Sequence, residues 1–201
     1  MKKELEKIKT LLINVDMVNG FVREGAMADR YIEHIIPEQK RLIEMVLNEN
    51  EGLAFVKEAH DKGCLEFKKF PEHCVRGTYE AELVDELKEY EKYGLIYLKN
   101  STSAIFAKDF MNDINKMKTL REVIVTGCCT DICVMNLAIP LQNYFDEVNQ
   151  NVEIIIPENA VETYDSKDHN RDEYNDMAFK FMKQSGIRLV KKYERGNRYG
   201  K

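Results

Sequence analysis

Short apolar runs alternate with segments of helical periodicity along almost the whole chain. Six of these runs are continuous rather than alternating, which predicts buried strands over residues 11–16, 53–59, 95–99, 123–127, 152–157 and 187–190. Between them, apolar residues recur at the spacing of one helix face and predict helices over residues 35–50, 81–94, 107–118, 131–148 and 172–186. Pro140 lies inside the fourth of these helices, where a proline favours a kink.

Continuous apolar strands are typical of a parallel sheet that is covered by helices on both faces. The alternation of strand and helix therefore predicts an α/β fold with three layers, α/β/α, around a six-stranded, mainly parallel sheet. No internal repeat, low-complexity tract or flexible linker interrupts the pattern, so we expect one domain over residues 1–201. In such sheets, ligands bind beyond the carboxyl ends of the strands.

Composition narrows the classes of partner. Of the 201 residues, 44% are hydrophobic and 32% are charged, and the formal net charge is −5 at pH 7. Basic residues are scattered among acidic ones, which argues against nucleic-acid binding. The apolar stretch near the start is short and ends at Asp16, so we expect neither a signal peptide nor a membrane span and predict a cytoplasmic protein. A small molecule is the expected partner.

Polar residues follow four of the predicted strands. Because the carboxyl ends of parallel strands meet at one edge of a sheet, we expect these side chains to lie together. They are Asp16 and Asn19 after the first strand, Glu58 and His60 after the second, Lys99 after the third, and residues 130–133 after the fourth. A carboxylate, an ammonium and a thiol therefore converge at the predicted ligand site.

The thiol of Cys133 is the strongest candidate nucleophile. It falls in the first turn of a helix that follows a strand and a glycine turn, and Thr130 or Asp131 can cap that helix. The positive end of the helix and a nearby lysine favour the thiolate, and the free N–H groups of that turn can hold an oxyanion. On position alone, Cys128 and Cys129 stay open as alternatives.

The five cysteines form an odd set, three of them within six positions, which is a poor disulfide framework. We therefore expect reduced thiols, and Cys64 alone is more typical of a buried small hydrophobe than of a functional group. No histidine is predicted beside Cys133, so Asp16 is the available general base.

Three segments resemble the isochorismatase-like cysteine hydrolases, and especially the nicotinamidases. They are VDMVNGF at 15–21, YLKNSTSAIF at 97–106 and VTGCCTDICV at 125–134. The resemblance implies a catalytic triad of Asp16, Lys99 and Cys133. It also implies a cis peptide bond between Cys128 and Cys129, with the amides of Cys129 and Cys133 as the oxyanion hole.

A fourth segment, FPEHCVRGTYEAEL at 70–83, is also similar to that family and raises the question of a metal. The resemblance implies a divalent ion, zinc, iron or manganese, and no organic cofactor. Its ligands would be Glu58, His60, Glu66 and His73, although Glu58 stands where the family usually has aspartate. Phe21 and Phe70 correspond to aromatic pocket walls, between which a flat heteroaromatic ring can stack.

The resemblance implies hydrolysis of a small amide through a thioester, with nicotinamide giving nicotinate and ammonia in pyridine nucleotide salvage. An alternative is a metal-independent relative that acts on a carbamoyl compound or a ureide. A non-catalytic binding protein of the same fold is a further alternative, because fold alone does not fix activity. The family also implies a homo-oligomer, a dimer or a tetramer.

Overall fold

The structure is a computed structural model that describes residues 4–195. Within this range, seven strands form one sheet in which every pairing is parallel. The strands are β1 (Thr10–Val15), β2 (Gly52–Glu58), β3 (Leu95–Lys99), β4 (Glu122–Cys128), β5 (Glu153–Pro157), β6 (Val161–Glu162) and β7 (Arg188–Val190). The α-helices are α1 (Asn19–Val22), α2 (Ile36–Asn48), α3 (Asp85–Lys88), α4 (Phe110–Lys116), α5 (Met135–Glu147) and α6 (Arg171–Gln184).

The strand order is β3-β2-β1-β4-β5-β7, so the six strands of the main path coincide with the six predicted from the apolar runs. The seventh strand, β6, has only two residues and pairs with the end of β4. Its apolar signal is too short to be recognised in the sequence. The predicted three-layer fold with a parallel sheet is confirmed.

Side chains of the central strand β1 alternate between two cores. Leu11, Ile13 and Val15 pack into the core under α4, α5 and α6. Leu12 points to the opposite face and packs into the core under α2. Successive residues of a strand point to opposite faces, so a strand that is apolar at nearly every position needs helices on both sides. In the described residues, no helix is long and apolar enough to cross a membrane.

The register of the central strands brings their carboxyl ends to one edge of the sheet. Val15 pairs with Val56 on one side and with Gly127 on the other, and Glu58 pairs with Lys99. Gly127 has a φ of +119°, and a Cβ atom built on it would lie 1.9 Å from the carbonyl oxygen of Val15. Only glycine fits this close approach of β4 to β1, which positions the turn that follows.

The predicted helix over residues 81–94 is wrong. Only α3 is helical there, flanked by short 3-10 turns. Instead, the backbone of Glu82 and Val84 forms hydrogen bonds with the loop after β1. Asn19 N donates to Glu82 O at 2.9 Å, and Val84 N donates to Met17 O at 3.0 Å. These groups cannot also form an α-helical ladder, so tertiary pairing overrides the helical periodicity.

Candidate active site

The three residues of the expected triad lie together, buried at the carboxyl edge of the sheet. Lys99, the last residue of β3, has its Nζ 2.9 Å from Asp16 Oδ2 and 3.5 Å from Cys133 Sγ. A carboxylate oxygen of Asp16 lies within 4.8 Å of the same sulfur. Asp16 directly follows β1 and has a φ of 52°, in the left-handed region that non-glycine residues seldom occupy.

Glu58, at the end of β2, belongs to the same buried group. Its Oε2 lies 2.9 Å from Lys99 Nζ and accepts a long contact of 3.9 Å from Cys133 Sγ. Its Oε1 lies 3.0 Å from His60 Nε2. One carboxylate therefore spans the space between the nucleophile and the histidines, and it separates His60 from the thiol.

The pKa values of the two carboxyl groups, Asp16 and Glu58, are shifted in opposite directions. Burial raises the pKa of Asp16 to about 6, although Lys99 acts against it. Burial also acts to raise the pKa of Glu58, but Lys99 and His60 together outweigh it and lower that pKa to about 2. Carboxyls with separated pKa values are typical of sites that need one permanent charge and one proton acceptor near neutral pH.

The expectation of a resting thiolate at Cys133 is not met. Burial raises the pKa of this thiol well above its ordinary value; Lys99 lowers it, but Asp16 and Glu58 act in the same direction as burial. One ammonium faces two carboxylates, so the negative sulfur is disfavoured until a base takes its proton. The resting cluster is therefore a thiol beside an available carboxylate.

The segment before Cys133 differs from the predicted capped helix. Residues Thr130–Val134 form a single π-helical turn that leads into α5, and no side chain caps it. Asp131 instead binds His169 Nε2 at 2.9 Å and the Thr163 hydroxyl at 2.5 Å. A capping aspartate and one that points away look alike in sequence, because the competing partners lie over 30 residues further along.

The expected cis peptide bond between Cys128 and Cys129 is confirmed. Cys128 is fully buried and its thiol donates to Asp16 O at 3.2 Å, so it faces the backbone of the neighbouring strand end. Cys129 and Cys133 both line the adjoining cleft, but the contact with Lys99 belongs to Cys133. These positions favour Cys133 among the three neighbouring thiols.

Two histidines and Glu58 bring three possible metal-ligand atoms close together. His60 Nε2 and His73 Nε2 lie 3.3 Å apart, and atoms of both rings lie within 4.8 Å of a Glu58 oxygen. Their Nδ1 atoms face acceptors, Pro71 O at 2.7 Å from His73 and Asn100 Oδ1 at 3.3 Å from His60. An Nδ1–H donor leaves Nε2 as a lone pair, which is the arrangement of metal-binding histidines with outer partners.

This donor set of two imidazoles and one carboxylate fits a divalent ion. Glu66 is not within the 4.8 Å group, although it lines the same cleft. Burial raises the pKa of Glu66, and the charge of Glu58 adds to that effect. Cys64, expected to be an ordinary buried residue, is half-buried and has its sulfur 3.4 Å from His60 Nδ1.

A cleft lies above Cys133, with about 380 Å³ of empty space when the open solvent at its mouth is included. Phe21 and Phe70 line it, with ring centroids 5.5 and 6.4 Å from that of His73. The sequence did not indicate Met27, Ile132 or Tyr164, which also line it. Met27 and Tyr164 come from loops without a recognisable motif, whereas Ile132 lies within the segment at 125–134 and was not singled out because it is an ordinary apolar residue.

The isochorismatase domain model matches residues 10–192 of the chain. Nicotinamidase 1 of Arabidopsis thaliana is 31% identical over 140 residues, which are 62% of this chain and 57% of the plant protein. The chain thus spans little more than half the length of that relative. A probable inactive nicotinamidase of the same plant is 26% identical over 167 residues, 77% of this chain and 82% of that protein.

Solved structures share the fold. The pyrazinamidase/nicotinamidase of Streptococcus mutans has a TM-score of 0.78 at 22% identity, over 90% of this chain and all of the other. The nicotinamidase of Bacillus subtilis has a TM-score of 0.73 at 26% identity, over 91% and 99%. The pyrazinamidase of Pyrococcus horikoshii, solved in complex with zinc, has a TM-score of 0.71 at 22% identity, over 90% and 98%. With the family model covering most of its length, this chain belongs to the isochorismatase family.

Proposed function

We propose that the protein hydrolyses a small aromatic amide, nicotinamide or a close relative, through a thioester on Cys133. The observation that carries the proposal is the buried cluster of Cys133, Asp16 and Lys99 at the floor of a cleft with aromatic walls. Nicotinamidases among the relatives support this substrate class. The presence of a relative named as probably inactive makes a direct assay necessary.

In the first half of the reaction, Asp16 takes the proton of Cys133 as the sulfur attacks the amide carbon. A carboxylate oxygen of Asp16 lies within 4.8 Å of the sulfur, and a pKa of about 6 keeps the carboxylate ionised at neutral pH while leaving it a usable base. Lys99 stabilises the sulfur as charge develops there. The amides of Cys129 and Cys133 would hold the oxyanion of the tetrahedral intermediate.

In the second half, protonated Asp16 gives its proton to the leaving nitrogen, so ammonia departs and the acyl group stays on sulfur. Asp16 is then a carboxylate again and can take a proton from water as that water attacks the thioester carbon. Collapse of the second intermediate breaks the carbon–sulfur bond and releases the carboxylic acid. The released sulfur takes the proton back from Asp16, and the cluster returns to its resting form of thiol and carboxylate.

A divalent ion would be held by His60, His73 and Glu58, whose donor atoms converge beside the cleft. Such an ion would act as a Lewis acid for the ring nitrogen of a pyridine or pyrazine amide and so orient the ring. Phe21 and Phe70 would flank that ring. Glu58 would then connect the ion to Lys99 through the two oxygens of one carboxylate.

Ammonia release from nicotinamide, pyrazinamide and a set of carbamoyl compounds and ureides tests the proposal. We expect the two aromatic amides to be the best substrates and Cys133→Ala to abolish their turnover while the melting temperature stays close to that of the wild type. Preference for a carbamoyl compound or ureide would assign the protein to the metal-independent alternative. Undiminished turnover by Cys133→Ala would refute the nucleophile.

We further expect a homo-oligomer, a dimer or a tetramer, as the family resemblance implies. Light scattering of the purified protein measures its mass directly. A mass of a single chain, 23.5 kDa, would contradict the expectation.

A further inference from the structure

Tyr164 lines two clefts. One is the cleft above Cys133, and the other is an outer, open cleft formed by residues 26–29, residues 164–166 and Arg171, with about 860 Å³ of empty space including open solvent. Met27 is the other residue common to both. Tyr164 and Met27 therefore lie where the cleft above Cys133 adjoins a larger, open space.

The ring of Tyr164 is held by stacking. Its centroid lies 3.9 Å from that of His169, with an angle of 11° between the two planes. On its other face, His169 stacks on Tyr174, with centroids 3.7 Å apart and planes at 27°. The His169 ring is buried between the two tyrosines, so the orientation of the Tyr164 ring depends on the orientation of this imidazole.

His169 is in turn fixed by hydrogen bonds at both nitrogens. Nδ1 lies 3.0 Å from Tyr164 O, and Nε2 lies 2.9 Å from Asp131 Oδ2. Both partners are acceptors, so a ring nitrogen that carries hydrogen donates to the acceptor beside it. Asp131 precedes Cys133 by two residues in the same π-helical turn, so the pocket wall and the nucleophile share one anchor.

We propose that Tyr164 sets the largest substrate that the catalytic cleft admits, and that His169 is its positioning residue. The amide chemistry of that substrate rests on the proposed function, whereas the size limit does not. Removing the phenol ring would join the two clefts and open a path for groups that extend beyond a single aromatic ring. Removing the stacking contact with His169 while keeping the ring of Tyr164 would also allow larger substrates to enter.

The size limit can be measured without any hydrolysis, by alkylation of Cys133. The probes are iodoacetamide and its N-phenyl derivative, iodoacetanilide, and the quantity is the ratio of their rate constants at Cys133, followed by peptide mass spectrometry. Each variant is first checked for a cooperative melting curve, because a misfolded fraction exposes Cys133 to both probes and would raise the ratio by itself. Tyr164→Ala should raise the relative rate of iodoacetanilide more than threefold, and Tyr164→Phe, which keeps the ring, should not. A rise of threefold or less in Tyr164→Ala overturns the proposal.

Two substitutions separate the contacts of His169. His169→Phe keeps a ring for Tyr164 to stack on but cannot bind Asp131, and His169→Gln keeps a donor for Asp131 but loses the stack. We expect the ratio to rise more than threefold in His169→Gln and to stay within threefold in His169→Phe. Any other pattern overturns the positioning role. Tyr174→Ala is the matched control, because it removes the other stacking partner but does not line the cleft; a rise equal to that of Tyr164→Ala would mean general loosening and would also overturn the proposal.

A second measurement extends the test to turnover. Nicotinamide and quinoline-3-carboxamide present the same reacting group on one ring and on two fused rings. Tyr164→Ala should raise the ratio of kcat/KM for the larger amide over the smaller more than threefold, and an unchanged ratio counts against the inference. If the wild type releases ammonia from neither amide, the proposed function fails, and the alkylation ratio still decides the role of Tyr164.

Discussion

Glu58 Oε2 lies 2.9 Å from Lys99 Nζ. The sequence predicted Glu58 only as a metal ligand, but this ion pair makes it part of the charge balance around Asp16, Lys99 and Cys133. The same ammonium lies 2.9 Å from Asp16 Oδ2, so one cation serves two buried carboxylates. Because Glu58 also faces His60, its pKa falls to about 2, and burial leaves Asp16 as the carboxyl with a pKa of about 6. The second carboxylate thus makes the first a better base.

The two carboxylates should have opposite effects on stability when neutralised. Asp16 titrates at about 6 rather than at its ordinary 3.8, so its ionisation costs folding free energy at neutral pH, and Asp16→Asn should stabilise the protein by up to about 3 kcal/mol at pH 7. Glu58 has a lowered pKa, so its charge contributes stability, and Glu58→Gln should destabilise. Urea unfolding of each variant measures both free energies.

The pH dependence of the unfolding free energy is the control for the Asp16→Asn and Glu58→Gln variants. The cost of Asp16 ionisation is full above pH 6 and vanishes as the pH falls towards 3.8, so the advantage of Asp16→Asn should disappear by about pH 4. The contribution of Glu58 is present above its ordinary value of 4.5 and is lost as the pH falls towards 2. Equal destabilisation by both substitutions at pH 7 would contradict this account.

The strand ends of the site could be predicted from sequence, because continuous apolar runs fix the parallel sheet and a parallel sheet fixes which edge its loops share. Asp16, Lys99 and Cys133 could therefore be placed together from the sequence. The bridging position of Glu58 could not, because whether one side chain contacts two groups depends on distances of a few ångströms between neighbouring strands. The raised pKa of the Cys133 thiol, where one ammonium faces two carboxylates, could not be predicted for the same reason.

The outer part of the site was not predictable, and the helix of residues 81–94 shows why. Its periodicity was real, but backbone pairing with the loop after β1 took precedence. Likewise, Asp131 has the pattern of a helix cap, and its actual partner, His169, comes from a turn 38 residues later. Contacts between distant loops leave no local pattern, and Tyr164 lies in such a loop.

Gly127 offers a test of how β1 and β4 form the floor of the site. In Gly127→Ala, the new Cβ would meet Val15 O at 1.9 Å and the residue would have to keep a φ of +119°, so we expect a loss of at least about 3 kcal/mol in the free energy of unfolding. Gly63→Ala is the matched control, because φ is +71° there and nothing lies within 4 Å of the added Cβ. Its cost should be about 1 kcal/mol, and similar losses in the two variants would contradict the close approach.

The metal content of purified variants should distinguish the proposed ligands His60, His73 and Glu58 from their neighbour Glu66. For protein purified without chelator, we expect His73→Ala and Glu58→Gln to lose most of the bound ion, because each removes a donor of the converging set. Asn100→Ala should weaken binding about 10-fold or more, since it removes the acceptor that orients His60. Inductively coupled plasma mass spectrometry measures the stoichiometry.

Glu66→Gln is the informative comparison in that series. Its carboxylate lines the cleft but lies outside the converging group, so the stoichiometry should match that of the wild type. Loss of the ion from Glu66→Gln to the extent seen in His73→Ala would restore Glu66 as a ligand.

The rate of amide hydrolysis should fall on the acid side with the titration of Asp16. In the proposed mechanism, the carboxylate form of Asp16 takes the thiol proton. With a pKa of about 6, only about a tenth of Asp16 is ionised at pH 5, against about nine tenths at pH 7. We therefore expect kcat/KM to decrease about 10-fold for each pH unit well below 6. Glu58, with its pKa of about 2, stays ionised throughout this range and adds no second step. An acid limb centred near pH 4 would contradict this prediction, because it would mean that burial does not raise the pKa of Asp16 in the working enzyme.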